Sequence, residues 1–117
     1  MPGTISSGGN VLYSWMIALL ITPTSVGANT TLEEAFTVPG LQLSDFVDVY
    51  YFGTNVNTPA AQTTGIGIVN NRCSAANTLQ IGFMNNTGGA LTPAAGIYYL
   101  VVSRPENPIG VLPPNAA

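Results

Sequence analysis

Few side chains in this sequence could do acid–base or metal chemistry: the adjacent carboxylates Glu33 and Glu34, the pair Asp45 and Asp48, and the thiol of Cys73. Two carboxylates can divide the work of general acid and base, and clusters of carboxylate oxygens hold Ca²⁺. On a strand, however, successive side chains point to opposite faces, so acids one or three apart diverge. Neither pair converges by its spacing, and the expected role of all four is charge at solvated strand edges. The chain has no histidine. A serine or cysteine nucleophile therefore lacks its usual base, and a single cysteine does not make the usual zinc ligand set. Gly65-Ile66-Gly67 is a fragment of a nucleotide fingerprint without the third glycine or the helix, and a strand glycine beside a close neighbour is expected there instead. Cys73 is expected to be a small buried hydrophobe or a loop thiol. Asn29-Thr30-Thr31 and Asn85-Asn86-Thr87 fit the glycosylation sequon, as chance dictates in a chain so rich in Asn and Thr. No enzyme, catalytic residue, cofactor or metal is expected.

The charge balance narrows the partners. Only 6% of the 117 residues are charged, with two arginines (Arg72, Arg104), no lysine and five acids, where about a quarter is usual. Two cations cannot neutralise a run of phosphates, so a nucleic-acid surface is not expected. With 46% hydrophobic residues and so few charges, part of the surface is expected to be covered by other protein, which makes the chain a subunit of an assembly. The length is that of one domain.

These residues have to be held by strands. Leu79, Ile81 and Phe83 alternate with Thr78, Gln80 and Gly82, and Ile97, Tyr99 and Val101 alternate with Tyr98, Leu100 and Val102. Broken by the turn-rich Asn85-Asn86-Thr87-Gly88-Gly89, the two runs read as neighbouring antiparallel strands. Residues 11–21, VLYSWMIALLI, are the most hydrophobic run. They are too few to cross a bilayer, which takes about twenty, and no Lys or Arg precedes them as in a signal peptide. A strand buried on both faces is expected, with a short core helix as the competitor because Trp15, Ala18 and Leu19 also fit a period of 3.6. Further strands are expected over 32–38, closed by the turn Pro39-Gly40, over 45–52, with Val47, Val49 and Tyr51 on one face and Phe46, Asp48, Tyr50 and Phe52 on the other, and over 65–70. Residues 53–63 read as an exposed loop. One tyrosine of each doublet, Tyr50-Tyr51 and Tyr98-Tyr99, should face outward, where it could stack on a sugar or sit at an interface.

The expected fold is all-β: an antiparallel β-sandwich or barrel of five to seven strands with extended N- and C-terminal arms. Residues 1–10, rich in Gly and Ser, form the first arm, 11–104 the sandwich domain, and 105–117, with four prolines, the second.

Two segments, FTVPGLQLSDFVDV at 36–49 and NNRCSAANTLQIGFMNNTGGALTPAAGIYYLVVSRP at 70–105, resemble small β-sandwich virion proteins of tailed bacteriophages. The match rests on Pro39, Gly40, Ala75, Leu79, Phe83, Asn85, Thr87, Pro93, Gly96 and Tyr98, which are framework positions. The resemblance implies a structural role on the virion, as a head decoration or cement protein or a short piece of tail or fibre. The expected function is that of a capsid-surface decoration protein that binds the major capsid protein as a homo-oligomer, expected to be a trimer, with neither nucleic acid nor membrane as partner. The residues expected at the capsid or subunit interface are Ile5, Trp15, Ile109, Val111 and Leu112. The alternative is a tail, fibre or adhesin module that binds a cell-surface glycan or receptor through the 53–63 loop and an outward tyrosine.

Overall fold

The computed structural model describes residues 11–106. Seven strands make two antiparallel sheets packed face to face, as expected for a β-sandwich: β1 (Val11–Ile21), β2 (Thr30–Thr37), β3 (Phe46–Asn55), β4 (Thr58–Pro59), β5 (Ile66–Ala75), β6 (Thr78–Asn85) and β7 (Gly96–Pro105). The four-stranded sheet has the order β1-β7-β3-β4 and the three-stranded sheet the order β2-β6-β5. The expected terminal arms, with Ile5, Ile109, Val111 and Leu112, lie outside the described residues.

The core is the meeting of the two central strands. Leu79, Ile81 and Phe83 of β6 and Tyr98, Leu100 and Val102 of β7 are all fully buried, joined by Val47 and Val49 of β3. Each triplet occupies alternate positions, so the period of two places three side chains per strand on the inner face. Here the sequence expectation needs correction: β6 and β7 are not hydrogen-bonded neighbours but belong to different sheets. They face one another across the core, where the rings of Phe83 and Tyr98 meet edge-on at 6.2 Å. The ten residues between them are too many for a tight hairpin, and an isolated bridge from Leu91 to Val26 leads the chain across to the other sheet. The hairpin partner of β6 is β5, through Ala76-Asn77.

Asn77 takes a positive φ of 62° in that turn, and its side-chain oxygen accepts the Gly40 N–H at 2.8 Å. Pro39-Gly40 forms a tight turn closed by Leu41 N–H on the Val38 carbonyl, and Gly40, with φ 92°, supplies the left-handed residue that a turn with Pro before it demands. The turn after β2 and the turn before β6, at the same end of the sheet, are thus bonded to each other.

Segment 11–21 is a strand, not a helix, and it is not buried on both faces. It lies at the edge of the four-stranded sheet, paired along its length with β7 from Val11↔Pro105 to Ile21↔Gly96. Trp15, Ile17 and Leu19 pack against the core, while Leu12, Met16 and Leu20 are exposed. Each strand of a two-layer sandwich has one inner face to bury, and no third layer covers the outer side of β1 among the described residues. The expected loop 53–63 is also partly ordered pairing: β3 continues to Asn55, turns, and returns as the two-residue β4.

Candidate interaction surface

The acids are held apart, and Asp45, Glu33 and Glu34 each have a different partner. Asp45 forms a two-pronged pair with Arg104, at 2.7 and 2.8 Å. Glu33 pairs with Arg72 at 2.9 Å across the outer face of the three-stranded sheet. Glu34 accepts the N–H and hydroxyl of Thr24. Asp48 points outward from β3, on the opposite side from Val47 and Val49. The hydrogen bond from Arg104 holds the Asp45 carboxyl below its ordinary value, against the opposing effect of burial, and Arg72 does the same for exposed Glu33. Among the described residues no three metal-ligating side chains converge. Cys73 is buried, its Sγ 3.0 Å from the Ala75 carbonyl.

An open cleft of about 740 Å³ lies between β3 and β5, lined by Leu43, Phe46, Asp48, Asn71, Arg72 and Cys73 among others. Asn71 Oδ1 is buried without a hydrogen-bond partner among the described residues. The bulge that turns Asn71 inward falls between Val69 and Arg72, where β5 slips register against β6.

A larger feature is the outer face of the four-stranded sheet. Register brings its outward side chains into rows: Leu20 beside Ile97, Ala18 beside Tyr99 and Tyr50, Met16 beside Val101 and Asp48, Ser14 beside Ser103 and Phe46. Leu20 is 78% exposed, Met16 and Phe46 each 64%, and Tyr50 58%. Phe52 meets Tyr99 edge-on at 5.2 Å, fixing both rings. Among the outward side chains described on β1, β7 and β3, Asp48 alone is charged. Exposed apolar side chains grouped in this way make this face a candidate interaction surface. The outer face of the other sheet is more polar, with Thr31, Glu33 and Thr37 on β2, Gln80 on β6 and Arg72 on β5 beside Ala35 and the exposed Met84.

Of the sequence-expected interface residues, Trp15 alone is described. It sits on the inner side of β1, packed against the core with the Arg104 guanidinium 5.1 Å from its ring centroid, so it faces away from the apolar surface. The tyrosine doublets divide as expected: Tyr50 and Tyr99 face outward, and Tyr51 and Tyr98 turn in, their rings 5.0 Å apart. Met16, Leu20, Phe46 and Val101 lie outside the sequence-expected interface set. The alternation of Leu12, Ser14, Met16 and Ala18 against Trp15, Ile17 and Leu19 was their signal, with the polar Ser14 and small Ala18 marking the outward set.

No family model, curated protein or solved structure matches this chain.

Proposed function

We propose that the chain is a non-enzymatic virion structural protein, a capsid decoration or cement protein that lays the outer face of its four-stranded sheet on the major capsid shell. The observation that carries this reading is the asymmetry of the sandwich: one broad face is mostly apolar and the other is mostly polar with a bridging ion pair. A protein that is soluble on one side and adhesive on the other is built to coat something. The capsid as partner comes from the resemblance at residues 36–49 and 70–105. In this reading the terminal arms, with Ile5, Ile109, Val111 and Leu112, are a second set of anchors. Co-sedimentation with empty capsids tests it: the paired substitution Phe46→Gln and Tyr50→Gln, both at exposed positions, should abolish binding while leaving the melting temperature unchanged. Undiminished binding would refute docking through this face, and unchanged binding after removal of 1–10 and 106–117 would refute the arms as anchors.

A second reading rests on the aromatic row Tyr50, Tyr99 and Phe52 with Asp48 one row away. Flat rings with a neighbouring acceptor suit the apolar face and hydroxyls of a sugar. Binding on a glycan array that is lost in Tyr50→Ala would put the adhesin module ahead.

A further inference from the structure

Four strand edges bound the two sheets, and three of them carry the devices that stop strands from pairing with strangers. The edge at β4 is two residues long and ends in Pro59. The edge at β5 has a bulge and Arg72, and the edge at β2 presents Glu33 and Glu34. From Tyr13 onwards the edge at β1 has none of these. Its eleven residues, VLYSWMIALLI, include no charge, proline or glycine, its register irregularity is confined to Val11/Tyr13, and among the described residues no strand lies beyond it.

We propose that β1 pairs antiparallel with β1 of a second copy of this chain, joining two four-stranded sheets into one of eight. A second copy is the occupant the strand itself selects. An uncharged edge is complementary to another uncharged edge, and an antiparallel strand pairing with itself has a two-fold axis, so the contact closes at two copies and does not propagate. The register that overlaps all eleven residues sets Met16 against Met16 of the second copy. On the outer face it also sets Leu12 against Leu20, and Ser14 against Ala18. Large apolar meets large apolar, and small meets small. The seam is about 37 Å long at the rise of an antiparallel strand, and the apolar outer faces of both copies continue across it in one plane. The unit is then a dimer in place of the expected trimer.

This contact uses the strand edge, whereas the proposed capsid docking uses the sheet face, so the two fail separately: the purified protein alone reports the first, and capsid co-sedimentation the second. Light scattering of the full chain should give twice the monomer mass. Ser14→Lys with Ala18→Lys, which sets lysine opposite lysine across the seam at two exposed positions, should give monomer mass with the fold kept by circular dichroism. Ser14→Lys with Ala18→Glu, which sets opposite charges there, should restore the dimer. Independently, Met16→Cys should cross-link into a covalent dimer on mild oxidation. Leu20→Cys should not, because its two copies stand about 27 Å apart in this register. A monomeric wild type, a trimer, or an oligomer indifferent to the double lysine variant would overturn the edge pairing. A dimer that fails to cross-link through position 16 would overturn the register.

Discussion

Both oxygens of Asp45 are gripped by Arg104, Oδ1 at 2.7 Å from Nε and Oδ2 at 2.8 Å from Nη2. The carboxylate also accepts the Gln42 N–H at 2.9 Å, and the guanidinium reaches the Gly40 carbonyl at 3.0 Å and lies over Trp15. The pair therefore ties the end of β7 to the turn after β2 and to the entry of β3. The Asp45 side chain is fully buried and that of Arg104 is 13% exposed.

Removing one partner of such a pair leaves the other charged and dry, which costs about 3–5 kcal/mol. Asp45→Ala should lower the urea midpoint accordingly. Asp45→Leu combined with Arg104→Met should recover most of the loss, because a well-packed apolar pair avoids the desolvation that the ions incur. A double variant as unstable as the single one would mean that the Gln42 and Gly40 bonds, and not the charge pair, hold this corner.

The same pair predicts acid sensitivity. Arg104 holds the Asp45 carboxyl below its ordinary value of 3.8, so the folded state resists protonation and the unfolded state does not. The stabilisation is complete above that value and is lost as pH falls through it towards the lower folded one. Glu33 shifts the same way, but its pair with Arg72 is solvent-exposed and contributes little. Melting temperatures should be flat from pH 7 to 5 and drop towards pH 3. The Asp45→Leu, Arg104→Met protein should lose most of that drop.

Gly82 is required by crowding. A Cβ there would stand 2.3 Å from the Val69 carbonyl oxygen and 3.1 Å from its carbon, backbone atoms that the β5 bulge pushes towards β6. Gly82→Ala should cost about 1–3 kcal/mol, whereas Gly88→Ala, with nothing within 4 Å, should change stability by about 0.5 kcal/mol or less. Urea denaturation of the two side by side checks the contrast.

Asn85 is 1% exposed and ties two loops together, the one after β1 and the one after β6. Its Nδ2 donates to the carbonyls of Val26, Gly27 and Gly89, and its Oδ1 accepts the N–H and hydroxyl of Thr87. Buried in this way, it is closed to glycosylation in the folded protein despite its sequon. Asn85→Asp keeps the shape but turns a donor into an acceptor facing three carbonyl oxygens, a loss of about 3 kcal/mol or more once ionised. Thermal melts of this variant should rise as pH is lowered from 7 to 5, the opposite of the wild-type trend below pH 5.

The strands were legible because their signal is local. Val47 and Val49 against Phe46, Asp48 and Tyr50 separate inside from outside with no knowledge of the partner strand, and the turn at Pro39-Gly40 is set by the chemistry of two residues. Pairing was not legible. The inner faces of β6 and β7 have the same alternation whether the strands lie side by side or face to face, and the residues that decide it, Leu91 and Val26, meet as a single bridge 65 positions apart. The apolar face was hidden for a similar reason. Hydrophobic side chains on both sides of segment 11–21 look like a fully buried strand until the two-layer architecture leaves the outer side uncovered.

The position of β1 also sets an order of events. It is the first strand of the described chain to be synthesised, yet among the described strands its sheet partner is β7, the last. Its eleven residues must wait, apolar and unpaired, until Gly96–Pro105 has been made. A topology dominated by such end-to-end contacts folds on the slow side, in roughly milliseconds to seconds, and during that interval the most aggregation-prone stretch of the molecule is its least protected. Joining the two ends and reopening the chain at the Ala76-Asn77 turn would turn the most distant pairing in the molecule into a local one.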